Sequence, residues 1–427
     1  MSAILSDRSA ARELIDFIDA SPSPWHAVAS AELLLQAAGY IRLEEGCRWQ
    51  LNAGGRYYVV RGGASMIAFT LGQQAEAGYR IIGAHTDSPG LRLKPKASIA
   101  CDGLMRLAVE VYGGPILASF SDRDLSLAGR VVLRNQQTRL VRFEHPLLRL
   151  PNLAIHMNRE VNEQGLKFNK QTELPLILGQ LGEGEDAEAN LRQLLSGAAG
   201  CDDLLSFEMN VYDVQKGCLW GANEEFIADS QLDNLASCHA ALTALIAAVQ
   251  TKATCMIALF DHEEVGSESA TGAGGSFLSD VLSRISFSAE LDEEDRVRAM
   301  SQSLFISADM AHAYNPNFPA AYEPAHKVLV NGGPVIKTNV NQRYATNAET
   351  AARFMGFCET AGVPYQQYAH RSDLGCGSTI GPKVAAQLGI ASVDVGSPMW
   401  AMHSARESAG VKDHAYLIAA LTAAFGS

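Results

Sequence analysis

Two textures of hydrophobic pattern run along the chain. The opening, RSAARELIDFIDA, spaces its apolar residues for an amphipathic helix. SPSP breaks it, and WHAVASAELLLQAAG makes a second helix closing at Gly39. YYVVRG, SMIAFTLG and YRIIGAH follow as three strand-like runs rich in β-branched and aromatic residues. From about residue 93 to 228 the texture shortens. LMRLAVEVY, GRVVLRN, RLVRFE and SFEMNVYDVQ predict β-structure, and LGQLGEGEDAEANLRQLLSGAAG predicts a Gly- and acid-rich loop leading into a helix. Beyond it helix and strand alternate again. DSQLDNLASCHAALTALIAAV predicts a long helix with Asp229 or Ser230 as N-cap, and TCMIALF a buried strand. Helices GGSFLSDVLSRIS, EEDRVRAMSQS and NAETAARFMGFCETAG, strands SLFISAD, GPVIKT and ASVDVG, and a closing helix VKDHAYLIAALTAAFG complete the series. Such alternation predicts an α/β fold, a mostly parallel sheet flanked by helices. The β-rich stretch interrupts it, so the domains read as 1–92 with 229–427, and an inserted 93–228. No internal repeat of fixed period is evident.

Composition narrows the classes. A chain of 427 residues exceeds what one hydrophobic core usually serves. Its net charge of −13 argues against a nucleic-acid partner or an anionic membrane, though a local basic pocket leaves an acidic substrate open. The eight cysteines form no C-x-x-C pair, which excludes thiolate zinc spacing and fits buried thiols in a reducing cytoplasm. MSAILSDRSAARELIDFIDA has no basic region followed by an apolar core, so no secretory signal is expected. The most apolar helix, around AALTALIAAV, is too short to span a bilayer.

The chemistry gathers where strands run out, which is where open α/β sheets place their sites. YRIIG ends in Ala84-His85-Thr86-Asp87, TCMIALF in Asp261-His262-Glu263-Glu264, and SLFISA in Asp309. ASVDVG is followed within a short loop by Met402-His403-Ser404, and Asp233 stands at the head of the long helix. Each segment alone has an ordinary reading: a solvated turn for DHEE, a cap or surface acid for Asp233 or Asp309, a hydrogen-bonded loop histidine for His403. Jointly they bring His, Asp and Glu to one rim. Imidazole and carboxylate ligands suit zinc, cobalt or manganese better than calcium or magnesium. Three carboxylates, Asp233, Glu264 and Asp309, would oppose two dications, with a bridging hydroxide completing neutrality. Adjacent strand residues point to opposite sides, so one of Glu263 and Glu264 would bind metal and the other accept a proton from water. Asp87, two residues after His85, has the spacing to orient the imidazole. His239 and His326 read as structural or exposed.

Taken together, GAHTDSPGLRLKPK, DSQLDN, DHEEVGS, SADMAHAYNPN, KTNVNQRYATN, RSDLGCGSTIGP and MHSARES closely resemble the aspartyl aminopeptidase family of dinuclear zinc metallopeptidases, over nearly the whole chain. The resemblance implies a zinc-exopeptidase-like α/β domain, a β-rich dimerisation domain and assembly into tetrahedral dodecamers. It implies two divalent ions per chain, zinc foremost. His85, Asp233 and Asp309 would hold one; Asp233 as bridge, Glu264 and His403 the other. Glu263 becomes the general base and Asp87 the partner of His85. In NLAIHMNRE, His156 becomes a residue reaching into a neighbouring subunit's site. Lys337 and Tyr344 match a substrate-contacting segment, although the residues alone read Lys337 as an exposed lysine after a strand. The implied reaction removes one residue, preferably Asp or Glu, from peptides with a free N-terminus. The rival readings are a related dinuclear carboxypeptidase or N-deacylase, and a metal-free scaffold that kept the fold. No G-x-S-x-G or H-E-x-x-H occurs, which disfavours a serine hydrolase or a helical zinc protease.

Overall fold

Every residue of the strand Thr254–Phe260 is buried, as expected for a strand covered on both faces. It lies within a nine-stranded sheet of a computed structural model that describes residues 7–427. The reading of no secretory signal draws partly on residues 1–6, which lie outside the described residues. The middle of the sheet is parallel: Thr254–Phe260, Tyr79–His85, Leu304–Ala308 and Ala391–Gly396 stand in that order. Antiparallel pairing enters on both flanks, through Ser65–Thr70 on one side and Val335–Thr338 on the other. The α/β expectation therefore holds, with a sheet that is mixed at its edges.

The two-residue period sorts side chains between two cores. Ile82, Ala84, Ile257, Leu259, Ile306 and Ala308 face one cluster, shared with helices Asp7–Asp19, Pro24–Ala37, Leu232–Ala247 and Val411–Phe425. Ile81, Met256, Ala258, Phe260 and Phe305 face the other, shared with helices Phe277–Ser288 and Ile380–Leu388. A second, five-stranded sheet joins Cys218–Trp220, Phe226–Asp229, Glu407–Gly410, Pro398–Trp400 and Ala311–His312. These strands have two to four residues each, too few for a period to register in the sequence.

The chain divides into two compact units. The first comprises the described residues up to Asp87, Gly217–Met402 and Glu407–Ser427; the second comprises Ser88–Lys216 and His403–Arg406. The second unit is built on six antiparallel strands, in the order Thr138–Arg142, Leu125–Leu133, Leu204–Asp213, Gly90–Cys101, Leu104–Tyr112 and Leu176–Gln180. Its helix Ala187–Ala199 starts at Asp186, whose carboxylate accepts the amides of Glu188 and Ala189, and stops at left-handed Gly200. Buried Leu191 and Leu195 lie in the core of that unit. Its bounds differ from 93–228 for physical reasons. Gly90–Cys101 is one unbroken strand, and Cys218–Trp220 and Phe226–Asp229 pair within the first unit. No helix among the described residues is long and apolar enough to cross a membrane.

Two helices of the first unit bury a histidine pair. His239 Nδ1 lies 2.9 Å from His414 Nε2. Burial pushes His239 down to about 4, and burial with the neighbouring ring pushes His414 well below its ordinary value. The unfolded chain takes these protons near pH 6.5, whereas the folded chain keeps His239 neutral until about pH 4. Stability from this pair is therefore full above pH 6.5 and is lost as pH falls through that window, by about 1.4 kcal/mol per pH unit for each histidine. Thermal unfolding between pH 7 and 5 should show a falling midpoint, and a His239→Leu/His414→Leu variant should show a flatter fall. An equal slope in both proteins would exclude the pair as the cause.

Candidate metal centre

Three neighbouring parallel strands end side by side, and each hands acidic or imidazole groups to the same rim. His85 closes Tyr79–His85 and stands in register with Phe260, after which DHEEVGS begins. Asp309 directly follows Leu304–Ala308. Asp233 comes from the head of helix Leu232–Ala247. The turns that carry these residues leave ordinary backbone space. Gln231 has φ +57° and His262 φ +63°, left-handed values uncommon for non-glycine residues. Asp229 and Ser230 do not cap the long helix, contrary to the sequence reading. Asp229 ends a strand, Gln231 occupies the cap position, and Asp233 and Asn234 are themselves non-helical. Their side chains serve the rim instead: Asn234 Nδ2 donates to the Ala308 carbonyl at 2.9 Å.

His85 is the hub. Its Nε2 lies 3.4 Å from Asp233 Oδ1 and 3.9 Å from Asp309 Oδ1. His85, Glu263 and Asp309 present donor atoms within 4.8 Å of one another, and so do His85, Asp233 and Glu264. Two like unit charges at 4.8 Å repel by about 3 kcal/mol at an effective dielectric of 20. Burial lowers the His85 imidazole, but Asp233, Asp309 and Asp87 outweigh it and hold its pKa well above the ordinary value. Burial first, then Asp309, Glu264 and Asp87, push the Glu263 carboxyl well above the usual range, against the pull of His85. A buried imidazole with two buried carboxylates, Asp233 and Asp309, and two half-buried ones, Glu263 and Glu264, forms a donor set that fits borderline divalent ions such as zinc.

A layer of backbone contacts holds these groups in place. His85 Nδ1 lies 2.9 Å from the Asp87 backbone carbonyl and 3.5 Å from its carboxylate. The Asp87 carboxylate makes its closer contacts elsewhere, accepting the amides of Glu263 and Glu264 at 3.1 Å each. Asp87 therefore fixes both glutamates as well as the imidazole. Glu263–Val265 is a 3-10 turn beyond the strand end, so strand alternation is not what separates the two glutamates. The turn does so, presenting Glu263 towards Asp309 and Glu264 towards Asp233. Glu407, in the run MHSARES but given no role by the sequence reading, accepts the Asp233 amide at 3.0 Å.

Lys337 is buried, unlike the exposed lysine its local sequence suggests. Its ammonium donates to the carbonyls of Asp309 at 2.9 Å and Met310 at 3.1 Å, and stands 3.7 Å from Asp309 Oδ2. The buried Tyr344 ring lies 5.2 Å from that ammonium. Gly396 permits the approach on the other side, because a Cβ there would stand 1.7 Å from the Asp309 carbonyl oxygen. His403 and His156 belong to the second unit. His403, at φ +70°, has Nδ1 3.0 Å from the Gly114 carbonyl. His156 is exposed in the turn Ile155–Met157, between exposed Ile155 and Met157.

The chain has extensive similarity to known proteins. The family model described as aminopeptidase I zinc metalloprotease (M18) matches residues 17–425. A probable M18 family aminopeptidase 2 of Pseudomonas paraeruginosa (strain DSM 24068 / PA7) is 50% identical over 424 residues, with 97% of each chain covered. A chain in the structure of the Ape4 and Nbr1 complex is 37% identical with a TM-score of 0.95, covering 99% of this chain and 86% of that one. A chain of the Saccharomyces cerevisiae mApe1 dodecamer is 28% identical with a TM-score of 0.85, covering 97% and 96%.

Asp87→Ala would leave two amides at the glutamate turn without their acceptor. Turnover should fall roughly 10- to 100-fold while bound metal, measured by elemental analysis, stays near the wild-type content. Unchanged turnover would show that the turn holds its shape without Asp87.

Proposed function

The chain belongs to the M18 family of aminopeptidase I zinc metalloproteases and is a metallo-aminopeptidase, and on that premise we propose that it removes aspartate and glutamate preferentially from peptides with a free N-terminus. The observation that carries the metal-dependent hydrolysis is the convergence of Asp233, Glu263, Glu264 and Asp309 around the buried His85. His85, Asp233 and Asp309 are proposed for one divalent ion, and Asp233, Glu264 and His403 for a second, with Asp233 shared. Zinc bound there would polarise the scissile carbonyl and make water acidic enough to be deprotonated near pH 7.

The chain's own groups do the rest. Glu263 takes a proton from the attacking water at its carboxylate and returns it to the leaving amine. Asp87 holds the amides on both sides of that task, so the Glu263 carboxylate does not swing away when it becomes neutral. Glu407 keeps the Asp233 backbone in place, and Lys337 clamps the Asp309 backbone. The Lys337 ammonium, beside Tyr344, also gives the rim its positive side in an otherwise acidic protein, which supports a preference for acidic first residues.

Self-association into dimers and a dodecamer, in a cytoplasmic enzyme, completes the proposal. The mApe1 relative named above is a dodecamer. Leu153, Ile155 and Met157 leave a large apolar surface around His156, which suits burial against another subunit. His156 would there donate to the oxyanion formed at a neighbouring site.

Glu263→Gln should retain about two ions per chain while turnover of free N-terminal aspartyl and glutamyl peptides falls by about 10²-fold or more. Acetyl-blocked peptides should resist the wild-type enzyme. Wild-type turnover in the variant would remove Glu263 as base, and efficient cleavage of blocked peptides would favour a deacylase instead. His156→Phe should cripple turnover with metal and assembly intact, by the roughly 10²- to 10³-fold expected for one oxyanion donor. A fully active His156→Phe enzyme would take that residue out of the site.

A further inference from the structure

Beside the carboxylates, on the first unit, stands a second group of side chains. His312, on the short strand Ala311–His312, has its ring centroid 6.0 Å from that of Tyr368 and 6.4 Å from that of His370. Lys337, Asp233 and Asp309 all act electrostatically on His312, so this group adjoins the candidate metal ligands. The Tyr368 hydroxyl lies 2.5 Å from His370 Nδ1. Burial raises the pKa of Tyr368, so the hydroxyl keeps its proton and is available to donate it to Nδ1, one of the two tautomer-dependent directions of this contact. A neutral imidazole that accepts at Nδ1 carries its own proton at Nε2. That Nε2 is buried and has no hydrogen-bond partner among the described residues.

A buried donor without an acceptor costs about 1–3 kcal/mol. Lys337 differs, since two backbone carbonyls take two of its three protons and the Asp309 carboxylate stands 3.7 Å away. With Nδ1 accepting, the ring proton of His370 sits on an Nε2 that has no acceptor among the described residues. Tyr368 sets its tautomer and orientation.

We propose that His370 is a specificity-determining residue whose Nε2–H donates a hydrogen bond to the side-chain carboxylate of an acidic first residue. The assignment rests on the aminopeptidase reading above, with its acidic preference, and deepens it by naming a group that recognises the side chain. An apolar first residue offers no acceptor to that donor.

The test uses the zinc-loaded, fully assembled enzyme with aspartyl- and leucyl-aminomethylcoumarin, and calorimetric binding of free L-aspartate and L-leucine. In His370→Phe, KM for the aspartyl substrate should rise about tenfold more than KM for the leucyl one, with kcat largely kept, and aspartate should bind about tenfold more weakly. His370→Gln, which keeps an N–H donor, should recover most of that loss. Tyr368→Phe should weaken aspartate selectively, by less than His370→Phe does. Equal changes for aspartate and leucine in His370→Phe, or none, would overturn the assignment. So would a His370→Gln enzyme as impaired as His370→Phe; if the Phe variant loses its metal, a Gln variant with wild-type selectivity supports the donor role and one without it overturns it. A wild-type enzyme with no preference for acidic residues would overturn the acidic reading itself, whereas a preference that survives in His370→Phe would sink only this inference.

Discussion

Asp233, Glu263, Glu264 and Asp309 share one imidazole neighbour at the rim of the sheet, and their mutual repulsion is the constraint around which the first unit is arranged. Buried carboxylates at such separations are tolerated only if something positive sits among them. The His85 imidazole answers part of that demand, since Asp233, Asp309 and Asp87 outweigh its burial and hold its pKa well above the ordinary value. A dication does the same work with twice the charge and no need for a proton. The parallel strands make this possible geometrically. Their ends coincide, so short side chains from three different strands meet without long loops.

Repulsion also explains the contacts behind the carboxylates. Groups that push each other apart must be held from the backbone, and the structure spends other buried polar side chains on that purpose. Asp87 takes the two amides of the glutamate turn, Glu407 takes the amide of Asp233, and Lys337 takes the carbonyls next to Asp309. Two of these three anchors are themselves acids, which adds to the negative field and makes the lysine more valuable. Lys337 is in turn balanced by Asp394, a fully buried carboxylate that accepts the Ala345 amide and the Thr379 hydroxyl.

Much of this was legible in the chain. TCMIALF, YRIIGAH and SLFISAD are short, mostly apolar runs that end in or lead into acids or histidine, and that combination marks the rim in the sequence. The helix start at Gln231 was not legible. Ser230 and Asp229 are good caps by composition, but the demand for Asp233 and Asn234 at the rim overrides local preference. The burial of Lys337 could not be read either, because its partners are backbone carbonyls of a segment far away in sequence. Glu407 stands within the run MHSARES, where a lone glutamate carries no spacing signal. The five-stranded sheet escaped because its strands are shorter than any period.

The pair Glu263-Glu264 illustrates how one residue step can aim two carboxylates at different neighbours. Alternation along a strand would have achieved it, but the strand stops at Phe260. Left-handed His262 and Gly266 instead bracket a single tight turn, in which successive side chains diverge by roughly a third of a revolution. Both amides of that turn point back to one carboxylate, so the backbone is pinned at a single place while the side chains splay. A longer helix would have carried one of them away from the rim, and an extended strand would have sent it to the opposite face of the sheet. The tight turn keeps both within reach of His85, one beside Asp309 and the other beside Asp233.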